Sequence, residues 1–316
     1  MDNKKYDVLV VGELNVDLIL NQIDSFPEMG KEKLAGSMNL TMGSSSAIFA
    51  CNLSSLGSKV AFLGKIGMDS FGDLIISSFN EKKVDADLVL RDTNVNTGAT
   101  IILNYSEDRA MVTYQSAMNE LTIKNVTAEK CASARHLHFS SLYLQPGIKP
   151  DIAEVFRIAK SAGLTTSLDM QWDPAEKWDL DYREVLPLVD VFLPNEQELL
   201  CLTKAATIED GLKILDPYAK HIVVKMGSKG SLLHSEGTSE FKESYLNKNV
   251  VDAIGAGDSF NSGFIHKFIN GSSLSECQAF GNLMGAVNTT AAGGTTAFTD
   301  LEGILLTAKE KFGVSL

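Results

Sequence analysis

Short apolar runs of strand length recur along the chain and alternate with segments of helical spacing. The runs are residues 8–11, 60–63, 136–139, 164–168, 190–193 and 221–224. Continuous apolar character, without a polar alternate position, is what a strand covered on both faces requires. Between the runs, residues 47–56, 69–81, 151–162, 195–202 and 208–215 carry apolar side chains at helical intervals. The alternation predicts βαβ units, and so an α/β fold: a mostly parallel central sheet between two helical layers, ordered by right-handed crossovers.

Two regions break the alternation. Residues 12–41 hold no convincing helix, and residues 98–115 alternate in strand fashion about a turn at Ser106-Glu107-Asp108. Both would be wasted inside a βαβ layer, so they are assigned to a small antiparallel β lid projecting from the body. Helical spacing returns at 257–269 and 274–290, separated by Asn270-Gly271-Ser272-Ser273. There Gly271 follows the first helix, and Ser272 or Ser273 can cap the second.

Composition narrows the class. With 316 residues, 44% hydrophobic and 22% charged, the chain is an ordinary globular protein of two domains or of one domain with an insertion. No linker or repeat divides it, so residues 1–316 are read as one domain with a lid. The net charge of -12 and the lack of a long basic cluster argue against a nucleic-acid partner and say nothing against a small ligand. Cys51, Cys131, Cys201 and Cys277 are too widely spaced for a zinc or CxxC site. No stretch approaches the roughly 18 apolar residues of a membrane helix, and the start of the chain reads as a strand; a cytoplasmic protein without a membrane partner is expected. His136 and His138 share a strand face but lack a third ligand, so they are read as structural.

The most informative segment is Val250-Val251-Asp252-Ala253-Ile254-Gly255-Ala256-Gly257-Asp258-Ser259-Phe260, which joins a β-like run to a helix through two glycines. Free N–H groups in the first helical turn make an anion site, and small residues let a phosphate approach. Asp258 at its edge can accept a hydroxyl proton while the turn binds developing charge. It can equally be a carboxylate favourably placed near a helix dipole. The segment is not a dinucleotide fingerprint, and the chain has neither a P-loop nor a G-x-S-x-G elbow.

The longer stretch DAIGAGDSFNSGF resembles the C-terminal signature of the ribokinase-like (PfkB) carbohydrate kinase family, with Ala253 and Ile254 unusual within it. GELNVD, TGAT, LPNEQE, VKMGSKG and GNLMGA followed by AAGG appear in the family's order over nearly the whole chain. The resemblance implies a ribokinase-like three-layer sandwich and an ATP-dependent carbohydrate kinase. It implies that Asp258 is the catalytic base and that Gly255, Ala256 and Gly257 form the anion hole. It places Asn195 and Glu198 at Mg²⁺, partly through water, although the same pair also reads as a helix capping box. Lys225, Gly227, Ser228 and Gly230 would lie along ATP, with Asn282 near the adenine; a plain turn and an interior helix Asn are the bland readings. Asp252 and Ile254, with carbonyls of residues 291–294, would hold a monovalent cation, K⁺. Asn15 and Asp17 would bind acceptor hydroxyls beside Gly43 and Ser44.

Two departures bear on the acceptor. Ser44 replaces a glycine and Ile48 a substrate-binding Asn, and Ile cannot hydrogen-bond. Gln171 and Asp173 stand where Asn and Arg are common, which removes a guanidinium suited to an acidic substrate. A small neutral sugar or polyol phosphorylated at a hydroxymethyl group is the expectation. A nucleoside kinase is the alternative within the class, and a silent sugar- or nucleotide-binding relative the alternative outside it. Trp172 can stack on a ring face or pack in the core, and the lid's exposed sheet could pair two subunits as a homodimer.

Overall fold

The computed structural model describes residues 4–105 and 108–315. In chain order, β1 (Tyr6–Val11) leads into β2 (Asn15–Asn21) and β3 (Ser37–Met42), then α1 (Ser45–Ser55), β4 (Val60–Leu63), β5 (Lys65–Gly67), α2 (Ser70–Glu81) and β6 (Leu90–Asp92). The hairpin β7 (Gly98–Tyr105) and β8 (Asp108–Tyr114) follows, then α3 (Ala128–Ala132), β9 (Ala134–Ser140), α4 (Ile152–Ser161) and β10 (Thr165–Asp169). The chain continues through α5 (Tyr182–Val185), β11 (Val191–Phe192), α6 (Glu196–Thr203), α7 (Ile208–Leu215), β12 (His221–Lys225), β13 (Gly230–Ser235) and β14 (Thr238–Glu243). It closes with α8 (Ala256–Ile269), α9 (Leu274–Asn288) and α10 (Leu301–Phe312).

Eight strands form the large sheet in the order β14-β13-β12-β11-β10-β9-β1-β4. The six from β12 to β4 are parallel, with Val8 opposite both Val60 and His136. Their continuous apolar runs are buried on both faces, as in β4, where all four residues are inaccessible. One core lies on each side of the sheet, around Phe139 and Phe156 on one and around Phe49 and Phe264 on the other. His136 and His138 point into this interior as structural groups. His136 bonds Thr165 and Ser167, His138 bonds Ser167, and burial pulls both well below the usual imidazole pKa, to about 3 for His136.

The antiparallel pair β13 and β14 at one edge and the terminal α10 go beyond the sequence reading. Their alternation is short and half exposed, and so carries little pattern. The small sheet, in the order β3-β2-β7-β8, is mixed where an antiparallel one was expected. β2 and β7 run parallel from Asn15 opposite Gly98 because both leave the body at the same rim, and β3 and β8 return as their hairpin partners. Ser106 and Glu107, in the expected turn, lie outside the described residues.

α8 and α9 pack closely because glycine faces the contact on both helices. A Cβ on Gly263 would lie 2.6 Å from Met284 Cγ, and one on Gly281 3.0 Å from the Phe260 ring. Gly271, at φ 78°, turns the chain between them, and Ser273 caps α9 in a reciprocal box with Glu276. Ser273→Ala should therefore cost about 1 kcal/mol of stability, read as a lower urea midpoint at unchanged slope; an unshifted midpoint would show that the cap does not support the pair.

Candidate active site

The parallel strands end on one rim, and chemistry collects there, as it does in open α/β sheets. β10 delivers Asp169, β12 delivers Lys225, β1 leads to Glu13, and the turn before α8 faces all three. Lys225 Nζ lies 2.6 Å from Asp169 Oδ2, with the carboxylate inaccessible to solvent. Burial pulls the Lys225 pKa down, but Asp169 and Glu198 outweigh it and hold the ammonium above its ordinary value. Asp169 also accepts from the Asn261 amide on α8 and from Gln171, through its backbone N–H at 3.2 Å and its side chain at 3.1 Å. The same Gln171 Nε2 reaches Asp258 Oδ1 at 3.0 Å. Asp258 sits in the first turn of α8 and is 6% exposed. Burial first, then the neighbouring Asp169, push its pKa well above the carboxylate range, against the pull of Lys225.

Gly255 caps α8 in the left-handed region at φ 75°, and a Cβ there would lie 2.7 Å from Gly294 Cα. Two glycine loops thus press backbone to backbone. Asp252 ties them together by accepting from Ile254 N–H at 2.9 Å and Gly293 N–H at 3.0 Å, while Asn288 donates to the Ile254 carbonyl. The Ala256 N–H is turned back to Ala253 O at 3.2 Å. The N–H groups of Gly257 and Asp258, within the first turn, have no helical acceptor to reach, and the open face of Gly257 looks towards Lys225 Nζ.

Two cavities meet at this turn. One, of about 280 Å³, is lined by Lys225, Gly227, Ser228, Gly230 and Asn282 together with Ala256 and Gly257; Leu246, Val250 and Phe260 give it an apolar wall. The other is a cleft of about 860 Å³ between the lid's polar face, with Asn21, Asn39, Thr41, Asn104 and Arg109, and the loops at 251–254 and 292–296. Ala253 lines both.

Where the lid meets the body, Asn15 donates to Asp17 Oδ1 and to Thr100 Oγ1, each at 3.0 Å. Burial raises Asp17 to about 6 against the opposing Asn15 bond. Gly43 must lack a side chain, because a Cβ would fall 2.2 Å from Asp17 Oδ1. Ser44 caps α1 by accepting from Ala47 N–H and donates to the Glu13 carbonyl. Asn195 and Glu198 form a complete capping box on α6. Both Glu198 oxygens accept from Asn195, and burial, with Asp169 beside it, raises Glu198 to about 7.

The profile of pfkB family carbohydrate kinases matches residues 5–301. The chain belongs to the pfkB family of carbohydrate kinases. It is 30% identical over 271 residues to a 2-dehydro-3-deoxygluconokinase of Bacillus subtilis, covering 81% of each chain. An adenosine kinase structure from Sinorhizobium meliloti superposes with a TM-score of 0.82 at 26% identity, covering 93% of this chain and 98% of that one. A putative ribokinase II from E. coli in complex with ATP and Mg²⁺ has the same fold, with a TM-score of 0.82 at 24% identity over 96% and 99% of the two chains.

In this pfkB family kinase Ala256 and Gly257, between Gly255 and the buried Asp258, line the smaller cavity together with Lys225, Gly227, Ser228, Gly230 and Asn282. Asp252 and Ile254 line the larger one, Asn195 and Glu198 stand beside Asp169, and Asn15, Asp17, Gly43 and Ser44 lie where the small sheet meets the body. Glu13, Asp169 and Gln171 were not singled out as site residues. Glu13 is buried beneath Ser44 and Ser46, and Ser46 Oγ and its N–H donate to it. An acidic residue just after the continuous apolar run of β1 was the available signal. Ile48 packs under the glycine loops, since a Cβ on Gly294 would lie 2.4 Å from its Cδ1. Asp173 folds its own loop by accepting from the N–H groups of Ala175, Lys177 and Trp178. Trp172 is half exposed and edge-on to the buried Trp178. Gly255→Ala should destabilise by more than about 1–2 kcal/mol, since the clash with Gly294 adds to the left-handed backbone cost; urea unfolding within 0.5 kcal/mol of wild type would show that the loops part readily.

Proposed function

We propose that this carbohydrate kinase transfers the γ-phosphoryl group of ATP to a hydroxymethyl group of a small neutral sugar or polyol. The observation that carries the proposal is the position of Asp258. It is buried in the first turn of α8, beside unpaired N–H groups and directly after Ala256 and Gly257, which line the smaller cavity. The apolar wall of the smaller cavity suits the base and ribose of ATP, with the phosphates extending towards Lys225 and the Gly255, Ala256 and Gly257 turn. The rim suits a divalent cation as well. Glu13, Asp169, Glu198 and Asp258 are buried carboxylates, with the Lys225 ammonium as the opposing charge at Asp169, Glu198 and Asp258, and Glu198 and Asn195 would hold Mg²⁺ through its waters. When bound, the metal supplies charge to the phosphate oxygens. The monovalent-cation role falls to the Asp252 and Ile254 loop, as a K⁺ site supporting the turn.

The residues act by position and charge. Asn15 and Asp17 orient the acceptor hydroxyls, with Gly43 and Ser44 shaping the floor. Asp258 takes the proton from the attacking hydroxyl as its oxygen bonds to the γ-phosphorus and the bond from that phosphorus to the β–γ bridging oxygen breaks, releasing ADP. The N–H groups of the turn receive the charge that develops on the phosphoryl oxygens. The lid's polar face lines one side of the cleft, and its closing over the acceptor would exclude water. Its opposite face exposes Met38, Leu40, Ile101, Val112 and Tyr114, which supports a second copy of this chain pairing there as a homodimer. No helix among the described residues is long and apolar enough to cross a membrane. The four unpaired thiols favour the cytoplasm.

Asp258→Ala should lower turnover by about 10²–10⁴-fold while ATP still raises the melting temperature. A coupled ADP-release screen over neutral sugars, polyols, nucleosides and sugar acids, with that variant as blank, checks both the base and the acceptor class. Near-normal turnover by the variant would remove Asp258 from the mechanism, and a preference for sugar acids would overturn the neutral acceptor.

A further inference from the structure

We infer that Gln171 is a positioning residue whose amide holds the Asp258 carboxylate apart from the Lys225–Asp169 pair and aims it at the acceptor. The inference rests on the proposed role of Asp258. Gln171 is the neutral link between two buried carboxylates: its Nε2 donates to Asp169 Oδ2 at 3.1 Å and to Asp258 Oδ1 at 3.0 Å. One amide nitrogen has two hydrogens, so both bonds can be made at once. The anchoring side is doubled, because the Gln171 backbone N–H also donates to Asp169 Oδ1 at 3.2 Å. Asp169 is itself fixed by Lys225 on β12 and by Asn261 on α8, so the amide is held at a fixed point between sheet and helix, and Asp258 by the amide.

The backbone supports this reading. Gln171 stands at φ 60°, in the left-handed region that residues other than glycine avoid, at a cost of about 1–3 kcal/mol. The conformation places the donor against α8, 87 residues away in sequence. An Asn at this position, one methylene shorter, could not span both carboxylates from the same backbone.

The groups that face Asp258 are Asp169, Glu13 and Glu198, which all oppose its ionisation, and Lys225, which favours it. A hydrogen bond donated to a carboxylate favours the charged form, so the Gln171 amide works on the side of Lys225. Removing that donor should leave Asp258 harder to deprotonate and free to rotate towards Lys225. The loss is then greatest at low pH and eases as pH rises, whereas a general loosening of the fold would lower activity equally at every pH.

The test compares the pH dependence of kcat/KM for wild type, Gln171→Leu and Gln171→Asn, with MgATP-induced thermal stabilisation as the check on folding. The acidic limb should move up by about one pH unit in both variants, with the KM for ATP within about twofold of wild type. If Gln171→Leu does not fold, Gln171→Asn decides. A wild-type limb, or a uniform fall at every pH, overturns the inference. Its failure is distinct from failure of the functional reading, in which wild type phosphorylates no acceptor or Asp258→Ala keeps its turnover.

Discussion

The ion pair between Lys225 and Asp169 is the contact on which the rest of the site depends. It closes the ends of two parallel strands, β12 and β10, with the Asp169 carboxylate shut off from water and the Lys225 side chain largely so. A buried pair of this kind gains little net stability, because desolvation offsets the attraction, but losing one partner leaves an uncompensated charge. Here the consequence is larger than for an isolated pair. The ammonium also opposes the charges of Glu198 and Asp258, and both of those carboxylates are still pushed towards their neutral forms. Lys225 therefore sets how much negative charge the rim can hold before a nucleotide or a metal arrives.

From that pair the arrangement extends in two directions. Towards α8, Asn261 and Gln171 transmit the position of Asp169 to the helix that carries Asp258. Towards α6, Glu198 is locked in its capping box, so the same carboxylate serves helix and rim together. The glycine loops at 252–257 and 291–294 complete the frame. Asn52, on α1, donates both to Ser259 and to the Gly294 carbonyl, so the first βα unit supports the last. Ile48 fills the space between them as an apolar shim. This explains how the chain keeps its turn intact with Ile in place of a polar residue.

The features legible in the sequence are local. The glycine turn with Asp258, the Asn195–Glu198 box and the Ser273 cap each declare themselves within a few residues, and the parallel core declares itself through uninterrupted apolar runs. What stayed hidden depends on partners distant in sequence. Asp169 meets Lys225 across 56 residues, and the two strands that bring them together give no hint of their adjacency. Gln171 looked like the absence of an Asn, because its role requires knowing that α8 lies opposite. Asp173 looked like a lost guanidinium, while its contacts are three N–H groups of its own loop. The mixed order of the lid sheet was hidden for a similar reason, since hairpin patterns reveal their own pairing but not which strand of the next hairpin they join.

The most direct test of the charge balance is the pH dependence of stability in Lys225→Met. Above the unfolded-state carboxylate pKa of about 4, the folded variant should hold protons on Glu198 and Asp258 that the unfolded chain has released. Its stability must then fall as pH rises. Urea unfolding of variant and wild type at pH 5.5 and pH 8 is predicted to show a destabilisation approaching about 3–5 kcal/mol at the higher pH and clearly smaller at the lower. An equal destabilisation at both pH values would contradict the account, because Lys225 would then be a packing residue and not the cation that the rim is built around.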